Sequence, residues 1–99
     1  MNIKINSVHF DADKKLTDFI ENKVNKLIQY YDGIISSEVF LKVENTQDLD
    51  NKVAEIRLYI PGNDLFAKKQ SKSFEEATDN AAEALRRQLM KHKEKIRKV

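Results

Sequence analysis

Ala54-Glu55-Ile56-Arg57-Leu58-Tyr59-Ile60-Pro61-Gly62-Asn63-Asp64 is the stretch whose reading decides the fold. Ala54, Ile56, Leu58 and Ile60 alternate with Glu55, Arg57 and Tyr59, the period of a strand with one face buried. Pro61-Gly62-Asn63-Asp64 reads as a turn, because proline presets φ and glycine tolerates φ above zero. A chain that reverses here predicts another strand around Leu65 to Gln70. Upstream, Val39, Leu41 and Val43 alternate with Glu38, Phe40, Lys42 and Glu44 in a further strand. The polar run Asn45-Thr46-Gln47-Asp48-Leu49-Asp50-Asn51 joins it to the first stretch as a loop.

Working outward, Ile3 and Ile5 flank Lys4 in a short strand that runs toward Val8. Within residues 13–32, Leu16, Phe19, Ile20, Val24, Leu27, Ile28 and Tyr31 recur at three- and four-residue spacing, which predicts an amphipathic helix. Asp11 is expected to cap its start and Gly33 to end it in a left-handed conformation. Ser73, with Glu76 three residues on, reads as a capping box. From there a helix is expected to run nearly to the end, since no proline or glycine follows Gly62. The order is β-α-β-β-β-α, an α+β fold. A helical crossover makes the first two strands parallel, and the rest form an antiparallel meander. Both helices are expected on one face of a four-stranded mixed sheet.

The chain has 99 residues and 11.5 kDa, the size of a single domain over 1–99. It has no cysteine, which excludes disulfides, thiolate zinc sites and cysteine nucleophiles. Its two histidines, His9 and His92, show no metal-binding spacing and are read as structural. No apolar run approaches the roughly 20 residues of a membrane span, and the N-terminus lacks a signal-peptide pattern. A cytoplasmic protein is expected. With no glycine-rich phosphate loop, nucleophile signature or acid pair, an enzyme is not expected, nor any cofactor, metal or small-molecule substrate.

The net charge of +2 hides a polarised chain. Residues 1–50 hold six lysines and nine acids, whereas residues 51–99 hold twelve basic residues and seven acids. From Arg86 onward there are seven basic residues and one acid, Glu94. Wound at about 100° per residue, the last helix puts Phe74, Thr78, Ala81, Leu85, Leu89 and Ile96 on one side. Arg87, Lys91, Lys93, Lys95, Arg97 and Lys98 fall on the other, with Met90 among them and His92 in the apolar stripe. Such a strip suits a polyanion, because each phosphate contact releases a counterion. Cations at the helix C-terminus also complement its dipole, but this many repel one another. Lys23 and Lys26 border the first helix's apolar stripe, where they either extend the strip or cover the core edge with their stems. Lys42, Arg57, Lys68 and Lys69 are strand positions that contact a partner or discourage edge pairing. Phe40, Tyr59 and Phe66 could stack bases on the open sheet face, though no RNA-recognition motif accompanies them.

Phe74-Glu75-Glu76-Ala77 and Arg87-Gln88-Leu89-Met90-Lys91-His92-Lys93, in this element order, resemble the ribosome hibernation promoting factors, also called ribosome-associated inhibitors. Leu27-Ile28-Gln29-Tyr30-Tyr31 and Leu41-Lys42-Val43-Glu44 resemble the same family. The resemblance implies binding to the small ribosomal subunit, in the channel for messenger and transfer RNA, and a block of translation in starved or stationary cells. It implies rRNA backbone contacts from Arg86, Arg87, Lys91, Lys93 and Lys95, with Lys23 and Lys26 as further candidates. It also implies the short form of the family, for which ribosome dimerisation either needs a second factor or does not occur. The runner-up is a double-stranded RNA-binding domain, whose α-β-β-β-α order is contained in this one. That module carries lysines at the start of its last helix, where this chain has Glu75, Glu76 and Asp79.

Overall fold

The computed structural model describes residues 2–8, 10–44 and 49–97, with the side chains of 96 and 97 outside the description. The expectations for His9, for residues 45–48 of the loop and for the side chains of Ile96, Arg97 and Lys98 therefore lie outside the described residues. The elements are β1 (Asn2–Ser7), α1 (Lys14–Tyr30), β2 (Ser36–Val43), β3 (Lys52–Ile60), β4 (Asn63–Ser71) and α2 (Phe74–Arg97). The strand order in the sheet is β1-β2-β3-β4. β1 pairs with β2 in parallel, and β2–β3 and β3–β4 are antiparallel. This is the expected α+β, β-α-β-β-β-α architecture.

The period of two sorts each strand into an inner and an outer face. Val39 and Leu41 of β2, Ala54, Ile56, Leu58 and Ile60 of β3, and Leu65 and Ala67 of β4 are all buried. They join Leu16, Ile20, Val24 and Leu27 of α1 and Ala77, Ala81, Leu85 and Leu89 of α2 in one apolar cluster. Both helices thus cover the same sheet face, as the spacing predicted. Full burial of a leucine or isoleucine contributes roughly 1.5–3 kcal/mol. Val43 departs from its series, at 50% exposed, because it is the last residue of β2 and the helices' cover runs out there.

Three boundaries differ from expectation. The α1 cap is Asp13, whose carboxylate accepts the Leu16 backbone N–H at 2.8 Å, and not Asp11. The cap is the residue directly before the first helical one, and for a helix starting at Lys14 that is Asp13. Gly33 does not provide a left-handed terminus: α1 ends on Tyr31 in extended conformation, and Gly62 is the glycine with positive φ. The β3–β4 turn is also tighter than expected. Ile60 pairs directly with Asn63, so Pro61-Gly62 alone forms the loop, with Gly62 at φ 78°. Proline followed by a positive-φ residue is the type II combination. At α2, Ser73 Oγ accepts the Glu76 N–H at 3.1 Å, the expected cap.

Candidate nucleic-acid interface

The two helices run side by side in the same direction. Phe10, just before α1, stacks on Phe74 at the start of α2, with ring centroids 4.9 Å apart. At the far end, His92 Nε2 lies 3.2 Å from the Tyr31 hydroxyl, and the two rings meet edge-on at 5.3 Å. Gly33 fits here for a steric reason, since a Cβ would lie 2.6 Å from the Tyr31 ring. His92 is thus part of the packing between helix ends, as its place in the apolar stripe predicted. The same junction brings the α1 C-terminus beside the cationic end of α2.

The structure divides the cations of α2 between two flanks. Lys91 and Lys95 line a shallow cleft with Asn63, Leu65, Gln88 and His92, on the β3–β4 side. Arg87 faces the same side, lining a neighbouring cleft with Lys69 and Asn80. Gln88 donates its side-chain amide to the Phe66 carbonyl at 3.0 Å, pinning α2 to the exposed edge strand β4. Lys91 and Lys95 are exposed and have no ion-pair partner among the described residues. Arg87 is 73% exposed and reaches Glu83 at 3.6 Å.

Arg86, Met90 and Lys93 lie on the α1 side. Arg86 makes a bidentate pair with Glu83, at 3.1 and 2.8 Å. Their hydrogen bond is the main cause of two opposite displacements: Glu83 is held below its ordinary value and Arg86 above its own. One acid thereby offsets part of the charge of two arginines. Lys93 Nζ donates to the Tyr30 carbonyl at 3.4 Å and sits 4.4 Å from the centroid of the Tyr30 ring. That carbonyl belongs to the last residue of α1, where the helix dipole favours a cation. The sequence marks Tyr30 only as part of the Leu27–Tyr31 stretch. Its partner lies 63 positions away, and no local periodicity signals such a contact.

Lys23 and Lys26 have different settings. Lys23 forms an ion pair with Asp79 at 2.6 Å, its side chain only 28% exposed, with its amine 5.3 Å from the Phe19 ring centroid. It therefore works at the helix–helix seam, upstream of the tail cations. Lys26 is exposed and stands four residues before Tyr30, on the same side of α1. It continues the cationic surface from the end of α2 onto α1.

The open sheet face is balanced internally. Glu55 lies 3.6 Å from Lys68 and 4.0 Å from Lys42, and Arg57 is 3.5 Å from Asp64 and stacks over Phe66 at 5.1 Å. Tyr59 donates to Glu38 at 3.0 Å, a bond that raises its pKa. Lys42, Arg57 and Lys68 are thus engaged with neighbouring acids, Phe66 with Arg57 and Tyr59 with Glu38. Among the described residues, no group of three or more histidine, cysteine or acidic side chains could hold a metal ion. No described helix is long and apolar enough to cross a membrane.

A ribosomal subunit interface protein from Coxiella burnetii has the same architecture, with a TM-score of 0.83 over 94% of this chain and 98% of its own, at 20% identity. The N-terminal domain of Thermus thermophilus Protein Y matches with a TM-score of 0.79 and 25% identity, over 93% and 99% of the two chains. Sequence carries the relation further. The ribosome hibernation promoting factor of Pseudomonas putida is 33% identical over 95 residues, covering 96% of this chain and 89% of its own. That of Escherichia coli K12 is 30% identical over 97 residues, 98% of each. Residues 3–97 match the profile of the family described as Sigma 54 modulation protein / S30EA ribosomal protein. The chain belongs to that family.

Proposed function

We propose that this protein is a ribosome hibernation factor that lays the cationic end of α2 on the rRNA backbone of the small subunit. It occupies the channel for messenger and transfer RNA and blocks translation by filling that space, in the cytoplasm and with no chemical step. The observation that carries the reading is the surface formed by Arg87, Lys91 and Lys95 with Lys93 and Arg86: five cations on consecutive turns, of which Lys91 and Lys95 have no ion-pair partner among the described residues. Arginine and lysine head groups bind phosphates without reading bases, so the folded shape of rRNA must position the protein. The relatives named as hibernation promoting factors support the same reading. Lys26 extends the contact surface, and Lys23 contributes by holding the helices in register through Asp79. Formation of ribosome dimers would call on a second factor.

Co-sedimentation with purified small subunits over a salt series tests this. Four phosphate contacts to RNA would lower affinity roughly 50-fold between 50 and 200 mM salt. Charge reversal at Arg87, Lys91 and Lys93 together is expected to abolish most binding while leaving the circular dichroism spectrum intact, because none of the three is a core residue. Co-sedimentation undiminished in that variant would remove the α2 end from the interface. Binding to generic duplex RNA as tight as to subunits would favour a duplex-binding module.

A further inference from the structure

Between the ends of the two helices lies a cleft whose composition a row of phosphate contacts does not explain. Tyr30, Met90, Lys93 and Glu94 line it, around a volume of ≈ 180 Å³. Tyr30 and Met90 bring an aromatic ring and a thioether to its lining: Tyr30 is half-buried and Met90 is 40% exposed. Cations stand close to both. Lys93 Nζ stands 4.4 Å from the ring centroid, Arg86 approaches the Met90 sulfur at 3.6 Å, and Lys26 precedes Tyr30 by one helical turn. A phosphate gains nothing from an aromatic ring and a thioether, and the Glu94 carboxylate in the same lining repels it. A nucleobase suits both, because it stacks on the ring and carries N–H donors that a carboxylate can accept. A basic protein segment would meet three like charges.

We infer that this cleft is a stacking site for one unpaired base of ribosomal RNA. Tyr30 is the platform, and Lys93, Arg86 and Lys26 hold the phosphates on either side. The inference rests on the proposed function and adds a ligand class at one place on that surface. Lys93 is the moving part. In the free protein its amine covers the ring and is held by the Tyr30 carbonyl at 3.4 Å. When a strand enters, that amine exchanges a cation–π contact and a carbonyl for a phosphate, and the ring is uncovered.

Stacking and ion pairing separate in a salt series with purified small ribosomal subunits, because only the ionic part changes the slope of log affinity against log salt. Tyr30→Leu is expected to weaken binding roughly five- to 150-fold with the slope unchanged. Tyr30→Phe keeps the aromatic face and is expected to bind within about twofold of the unchanged protein. Lys93→Gln is expected to flatten the slope by about 0.7, one RNA phosphate contact. Ultraviolet irradiation of the complex with unchanged protein, read by mass spectrometry, is expected to give a nucleotide adduct on Tyr30 and does not depend on any variant folding. Tyr30→Leu binding as tightly as the unchanged protein overturns the stacking site, as does an adduct that maps only to residues away from the cleft. If the unchanged protein itself fails to bind subunits, the hibernation reading is what falls, a result separable from either of these.

Discussion

Gly33 shows how a single hydrogen atom can hold two helix ends together. Its φ is not positive, so backbone freedom is not the reason for it. A Cβ there would push on the outer edge of the Tyr31 ring, the end whose hydroxyl meets His92. Gly33→Ala should therefore cost about the value of that hydrogen bond, ~1 kcal/mol, or roughly 4–8 °C in Tm for a chain of this size. Thermal unfolding measures it, and an unchanged Tm would show that the ring has another place to go. Glu83 is a second informative residue, because it holds Arg86 and Arg87 at once. Its folded pKa lies below the ordinary value, so its contribution to folding is present above the unfolded pKa and lost as pH falls through the folded one. At neutral pH its main effect is on charge. Glu83→Gln should free both guanidiniums, tighten subunit binding and steepen its salt dependence, with the opposite result arguing that the Glu83 pairs preset the arginines for phosphate. The sequence displays both arginines but not this acid's hold on them, since Glu83 is one ordinary charge on an exposed face.

The last helix, α2, has to satisfy the core and the interface along one length. Its inner side buries Ala77, Ala81, Leu85 and Leu89, and its outer side ends in cations. Leu85 is fully buried, so Leu85→Ala should destabilise the fold by about 2–5 kcal/mol, read from urea unfolding. Variants of the outer side should not move that midpoint, and a shift of similar size for Lys91→Ala would mean that the two sides are not separable. Losing the Ser73 cap by Ser73→Ala is worth about 1 kcal/mol in the same measurement. The elements themselves were legible because each carries a clean period: alternation across Ala54–Ile60, and three-and-four spacing across Leu16–Leu27 and Phe74–Leu89. Their ends were less so. Asp11 and Asp13 are both good caps by composition, and only the register of the first turn selects Asp13. Asn63 and Asp64 have turn chemistry, yet the ladder draws them into β4 opposite Ile60 and Tyr59.

At the scale of the molecule, most of the cationic surface could be read by winding α2, because all its members but Lys26 sit on that element. Two properties could not be read this way. The neutrality of the open sheet face depends on the register that sets Glu55 between Lys42 and Lys68, which three strands fix together. The cleft at Tyr30 depends on α1 and α2 ending side by side, a relation between residues 63 apart. The parallel course of the helices, marked by the Phe10–Phe74 stack at one end and Tyr31–His92 at the other, has a kinetic consequence. It gathers the starts of both helices, where residues 11–18 and 72–79 hold six acids against three lysines, at the pole opposite the cations. Along α2 alone, Glu76 of one pole and Lys91 of the other are ~22 Å apart at 1.5 Å per residue. That separation exceeds the screening length of about 8 Å at physiological salt, so each pole is felt separately by a nearby polyanion. A particle charged in this way is turned as it approaches, basic end first, before any contact forms. Its association rate should therefore fall steeply with salt while its dissociation rate changes less, a difference that stopped-flow mixing with subunits would resolve.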